Sequence, residues 1–203
     1  MNPATIISLL EWKRQVFDLY REVRATSDPR DAWSVWRAGR DRLFADHDQS
    51  PLPPNEREEF QGLDYFDYDP DARVLGELAP TEPKDYDIAT SGEVPYRFTR
   101  FSVAAFELHG RELELELFWL DAYGGGLFLS FADATSGHTT YGAGRYLLDT
   151  VKGADLGTID GRLVLDFNFA YNPSCAYDPR WVCPLAPAAN RLPVAIEAGE
   201  RFG

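Results

Sequence analysis

Apolar positions follow two different periods along the chain, and these periods divide it. Ile6, Leu10, Phe17, Tyr20 and Val23, with Leu9 and Val16 beside them, recur at roughly helical intervals with charged residues between. That is the spacing of one face of a helix. Asp28-Pro29-Arg30-Asp31 reads as a second helix start, because aspartate caps free N–H groups and proline suits the first turn. This helix carries Trp33, Trp36, Arg37, Arg40 and Phe44 and stops at Ser50-Pro51-Leu52-Pro53-Pro54, where prolines remove donors and block helical backbone. Aromatic residues at such spacing read as core.

After residue 60 the period becomes two. Between Gln61 and Ala89 the chain reads as short strands punctuated by Asp-Pro, Gly and Pro, with Tyr65-Phe66-Asp67-Tyr68 and Arg73-Val74-Leu75-Gly76 as candidates. Glu112-Leu113-Glu114-Leu115-Glu116-Leu117 alternates strictly, so its leucines share one face and its glutamates the other. His109-Gly110 before it is a two-residue hairpin turn, since both residues tolerate positive φ. Pairing across that turn sets Leu113 opposite Phe106, Leu115 opposite Ala104 and Leu117 opposite Ser102. Tyr123-Gly124-Gly125-Gly126 leads into a strand Leu127–Phe131, and Thr135-Ser136-Gly137 into a strand at Thr139-Thr140-Tyr141. A further strand from Leu163 to Phe169 follows the Asp160-Gly161 turn. The triple glycine lies between strands and lacks the Gly-Lys-Ser/Thr ending, so it is a turn and not a phosphate loop. The expected fold is α+β, an N-terminal helix pair packed on an antiparallel meander that curls toward a barrel. Residues 1–203 read as one domain, with the helix pair in 1–50 and the sheet in 61–203.

Charge refines the list of partners. The 203 residues carry 20 basic and 33 acidic side chains, a net charge of −13, which opposes a phosphate backbone. A nucleic-acid partner is therefore not expected. Residues 51–120 hold six basic and sixteen acidic groups, most simply a solvated face. Asp64, Asp67, Asp69 and Asp71 approach the opening of a calcium loop, but the glycine at the sixth position and the closing glutamate are missing. No metal and no cofactor is expected. No window nears the roughly 20 apolar residues of a membrane span. The run Ile6–Leu10 is too short for a signal-peptide core. The expectation is a cytoplasmic protein with no membrane partner.

The last third mixes Asp, Asn, Tyr, Arg and Gly into apolar segments. In order come Phe-x-Asp-x-Thr around Asp133, Thr-Tyr-Gly-x-Gly-Arg-Tyr with Tyr141, Arg145 and Tyr146, and a long motif with Asp166, Asn168, Tyr171, Asn172, Cys175 and Tyr177. Cys-Pro-Leu-x-Pro at Cys183, Asn190-Arg191-Leu192 and Ala198-Gly199-Glu200 complete it. This series resembles the DUF1684 family, bacterial and archaeal proteins of about this length with no assigned activity. The similarity spans most of the chain and is densest from Phe131 to Glu200. It implies that the motifs form one unit, and it carries no reaction to transfer.

Buried polar groups need partners, so these motifs either hold irregular backbone or line a site. In the site reading, Arg145 and Arg191 donate to a small organic anion, Tyr141, Tyr146, Tyr171 and Tyr177 stack or hydrogen-bond, and Asp133, Asp166, Asn168, Asn172 and Asn190 complete a polar pocket. In the structural reading Arg145 pairs with Asp166 or Glu200 as an internal brace, in a domain that is structural or binds a protein partner. A cysteine hydrolase with Cys175 as nucleophile, His138 as base and Asp166 or Asp133 as orienter is a further alternative. Cys175 and Cys183, with seven residues between them, lack zinc-site spacing and read as structural thiols. Whether the protein is an enzyme, and its oligomeric state, are left open by these residues.

Overall fold

A computed structural model describes residues 2–202. Two helices, α1 (Pro3–Ala25) and α2 (Pro29–Asp46), precede a short α3 (Pro54–Arg57). The sheet then forms from β1 (Arg73–Ile88), β2 (Tyr96–Leu108), β3 (Arg111–Leu120), β4 (Leu127–Phe131), β5 (Arg145–Asp149), β6 (Thr158–Ile159) and β7 (Arg162–Asp166). The strands pair antiparallel in the order β5-β4-β3-β2-β1-β7-β6 and curl into a half-barrel. The fold is thus α+β, with a helix pair on a curling meander.

The local signals explain the elements. The Asp28 carboxylate accepts from the N–H groups of Arg30 and Asp31 at 2.9 and 3.0 Å, which satisfies two donors that the first turn of α2 leaves free. His109 and Gly110 both take positive φ, 49° and 74°, and close a two-residue hairpin. The pairs Leu113–Phe106, Leu115–Ala104 and Leu117–Ser102 form in the expected register. Glu112 and Glu114 are exposed, while Glu116 accepts from Arg100 at 3.0 Å. One residue of β2, Phe101, is extra between Arg100 and Ser102. This bulge reverses the facing of the β2 side chains on either side of it. β3 keeps its alternation, so Leu117 and Phe118 point to opposite faces, and both are buried because each face is covered there. The leucines join the main core with Phe131, Leu165 and Phe167, whereas Phe118 joins Phe98, Phe128 and Tyr146 in a second cluster.

Several expectations change. Residues 61–89 hold one 16-residue strand, interrupted in register between Pro80 and Lys84, in place of several short ones. Prolines lack the N–H a ladder needs, which is why the punctuation looked like strand ends. Tyr65 makes only a single bridge to Glu200. The fourth meander strand is Arg145–Asp149 and not Thr139–Tyr141, where Thr140 bridges Ser136 within a turn. β7 ends at Asp166, continues as a 3₁₀ turn at Phe167–Phe169, and pairs with β1 on the far side of the sheet. The inner face of the sheet is filled by Leu192, Ile196 and Ala198 of the C-terminal segment. The helix pair instead packs Leu19, Tyr20, Trp33 and Trp36 against Tyr65, Ala154 and Phe169. The first turns of α1 stay exposed, Ile7 at 56%. Asp69 caps the turn at Asp71, and among the described residues no group of three or more metal-ligating side chains is placed to hold an ion. No helix among them is long and apolar enough to cross a membrane.

Candidate functional site

The motif residues separate into a closed network and an open cavity. Arg145 opens β5 with 1% of its surface exposed. Its Nη2 donates to Asp133 Oδ2 at 2.7 Å and to the Ile196 carbonyl at 3.0 Å, and its Nη1 to the Ala198 carbonyl at 2.5 Å. The second Asp133 oxygen accepts from the Thr135 N–H at 2.7 Å. Burial pulls the guanidinium pKa down and Asp133 opposes that. Arg145 is therefore an internal brace that ties the C-terminal segment to the sheet, with Asp133 as its partner in place of Asp166 or Glu200.

Two asparagines act as substitute backbone. Asn168 accepts from the Asp69 N–H at 2.8 Å and donates to its carbonyl at 2.7 Å. Asn190 accepts from the Glu116 N–H at 2.8 Å and donates to the carbonyls of Glu116 and Ser130, both at 2.9 Å. A side-chain amide carries one acceptor and two donors, so it completes the ladder where β3 and β4 part after two residue pairs.

Asp166 accepts from the Asn168 backbone and side chain at 3.0 and 2.8 Å through one oxygen, and its other oxygen is buried without a hydrogen bond. Burial pushes this carboxyl up to about 6, against the hydrogen bonds from Asn168 and the charge of Arg73. A raised folded-state value means that folding favours the protonated form. This contribution to stability is complete below the ordinary value of 3.8 and is lost as pH rises through about 6. Chemical denaturation of the wild type and Asp166→Asn at pH 4 and pH 8 should show their stability gap changing by about 2 kcal/mol in favour of the variant at high pH. A gap independent of pH would mean that the carboxyl titrates normally.

The cavity, about 320 Å³, lies between the helix pair and the β5 edge of the sheet. Val16, Leu19, Leu43 and Phe44 form its helical wall, and Tyr146, Tyr171, Asn172 and Cys183 face them. Arg40 enters from α2. Its Nε donates to the Tyr65 hydroxyl at 3.1 Å and its Nη2 to Glu200 at 2.6 Å, which leaves Nη1 unspent. The guanidinium lies 4.9 Å from the Tyr171 ring centroid and 5.0 Å from that of Trp36, within cation–π range. Burial works against the Arg40 charge, but Glu200 and the phenols of Tyr65 and Tyr20 outweigh it. Burial also lifts Glu200 to about 6, against Arg40 and the Asn172 N–H. Tyr20, which accepts from Trp36 Nε1 at 3.0 Å, is pushed up by burial to about 12. At the mouth, half-exposed Lys152 pairs with Asp149 at 2.9 Å.

Of the residues picked out from sequence, Tyr146, Tyr171, Asn172 and Cys183 line this cavity. Asp133, Arg145, Asp166, Asn168 and Asn190 belong to the closed contacts above. Tyr141 and Tyr177 pack on Phe202, and Arg191 is exposed. His138 is exposed on its turn, and no hydrogen bond joins it to Cys175 among the described residues. Sequence reasoning left out Tyr20, Arg40 and Lys152. A signal for Arg40 was present: it stands four residues after Trp36 and four before Phe44, on the buried stripe of α2.

Among solved structures, an uncharacterized protein of Haloarcula marismortui determined in solution by NMR is similar at 41% identity, with a TM-score of 0.59. The match covers 82% of this chain and 90% of that one. No curated protein matches. The model of the family described as "Protein of unknown function (DUF1684)" matches residues 58–201, which takes in the whole sheet and every motif from Asp133 to Glu200 and leaves out α1 and α2. The chain therefore belongs to the DUF1684 family.

Proposed function

We propose that the protein binds a small amphipathic organic anion in the cavity between the helix pair and the sheet. The observation that carries this reading is Arg40: a guanidinium fixed on three sides by Glu200, Tyr65 and aromatic faces, with its Nη1 unspent, on the wall of a mainly apolar cavity. A pocket with an apolar body and few oriented polar groups is the usual form of a small-molecule site. Arg40 Nη1 and Lys152 would meet the anionic group, and the helical wall from Val16 to Phe44 would take the apolar part. The polar motifs of the last third then serve as the frame of the site. This places the anion-binding arginine on α2 in place of Arg145 and Arg191.

Isothermal titration with hexanoate, octanoate and benzoate, set against the matching alcohols, tests this. At least one carboxylate should bind with a Kd below about 1 mM, equivalent to about 4 kcal/mol, and bind its alcohol counterpart at least tenfold more weakly. Val16→Trp, which fills the cavity without touching a charge, should abolish binding. The double variant Arg40→Met/Glu200→Gln should narrow the preference for acid over alcohol, with Lys152 retained, while leaving no unpaired buried charge. If no carboxylate binds, or if Val16→Trp binds as well as the wild type, the reading fails.

A further inference from the structure

Cys175 and Cys183 are the only two cysteines of the chain. Both are free thiols, and they meet in one cluster with Phe118, Tyr146 and Trp181. Cys175 lies in the single 3₁₀ turn Ser174–Ala176, and no helix or strand intervenes before Cys183. Joining the two sulfurs therefore breaks no ladder. Cys183 is anchored from the opposite side of the sheet edge. Its N–H donates to Ser91 Oγ at 3.0 Å, and its carbonyl accepts from the Ser91 N–H at 2.9 Å. The Tyr141 hydroxyl stands 3.9 Å from the Cys175 sulfur.

The two thiols are unequal. Hydrogen bonding from the Cys183 thiol, with further help from Ser91 and Tyr141, holds the Cys175 thiol down at about 6 against the effect of burial. The same contact, together with burial, pushes the Cys183 thiol up. The two thiols thus differ in acidity, Cys175 the lower and Cys183 the higher, which is the division a nucleophile and a resolving thiol require.

From this arrangement we propose that Cys175 and Cys183 form a redox-active dithiol, in which Cys175 attacks a hydroperoxide and Cys183 resolves the product to an intramolecular disulfide. In the first step the Cys175 thiolate bonds to one peroxide oxygen, the O–O bond breaks, and the second oxygen leaves as hydroxide and takes up a proton to become water. Cys175 is now a sulfenic acid. In the second step the Cys183 sulfur gives up its proton and bonds to the Cys175 sulfur, and the S–O bond breaks to release a second water. Two thiols and one hydrogen peroxide become one disulfide and two waters; an alkyl hydroperoxide gives one water and one alcohol. A dithiol reductant restores both thiols and is itself oxidised to a disulfide. The proposal does not rest on a ligand in the cavity, although Cys183 is part of its wall.

The test uses the reduced full-length chain and hydrogen peroxide, followed by iodoacetamide and peptide mass spectrometry. Monomer should appear with the Cys175 and Cys183 peptides linked and unalkylated, and dithiothreitol should restore both thiols. Before oxidation, iodoacetamide at pH 7 should label Cys175 at least tenfold faster than Cys183. In Cys183→Ser the reaction should stop at a Cys175 sulfenic acid that dimedone captures, and in Cys175→Ser the peroxide-dependent loss of thiol should slow at least tenfold. The proposal is overturned if both wild-type thiols remain alkylatable after peroxide, if the linkage forms only between two chains, or if Cys175→Ser is oxidised as fast as the wild type.

Discussion

Replacing Arg145 by alanine is expected to lower the free energy of unfolding by about 3–5 kcal/mol, the largest effect of any single charge in the molecule. The cause is what remains behind. Asp133, 2% exposed, would keep a carboxylate with its cation gone, and the carbonyls of Ile196 and Ala198 would lose their buried donor. Each such orphan costs about 1–3 kcal/mol. Arg145→Lys should recover little, because one ammonium lacks the fork that reaches Asp133 and two carbonyls together. Arg145→Met/Asp133→Asn, which removes the unpaired charge, should recover a substantial part. Urea denaturation followed by circular dichroism reads all three. A loss below about 1 kcal/mol for the alanine variant would mean that the pair is no brace.

Gly199→Ala should be almost as damaging. Gly199 sits at φ +80°, and a Cβ there would stand 2.6 Å from the Ala170 carbonyl oxygen and 2.7 Å from that of Phe167. Those neighbours are backbone, so no rotamer can give way. The left-handed conformation alone costs a non-glycine residue about 1–2 kcal/mol, and displacing the two carbonyls should bring the total to about 3 kcal/mol or more. The displacement would reach the Glu200 N–H, which donates to Ala170 at 2.8 Å, and through it the Arg40 ion pair. Thermal unfolding should show a fall in Tm on the order of 10 °C. Alanine at Gly161, also at positive φ but with nothing near its Cβ position, is the control and should lose only the conformational cost.

Local rules made the helices, the His109-Gly110 hairpin and the register of β2 on β3 readable, because each depends on residues close in sequence. The route of β7 was not readable. Leu163–Asp166 has the same alternation whether it extends the meander at β5 or returns to β1, and only the closure of the curl decides. The polar motifs advertised burial correctly, yet motif density does not distinguish a brace from a binding group. Arg145 and Arg40 are both arginines beside aromatics; the difference is that two carbonyls and a carboxylate enclose the first, while the second has one Nη unspent. That distinction depends on partners 12 to 160 residues away, beyond the reach of any local pattern.

The Arg40–Glu200 contact also says something about the order in which the molecule assembles. It joins residues 160 apart, so nearly the whole chain must be ordered before it can close, and the entropy of closing so long a loop has to be met first by contacts within the sheet. The cavity has one wall from each end of the polypeptide and exists only after those ends meet. During synthesis α1 and α2 emerge before the sheet, and Trp33 and Trp36 lack their Phe169 contact until that residue arrives. The recess is therefore among the last features to form and the first to be lost when either terminus lifts away.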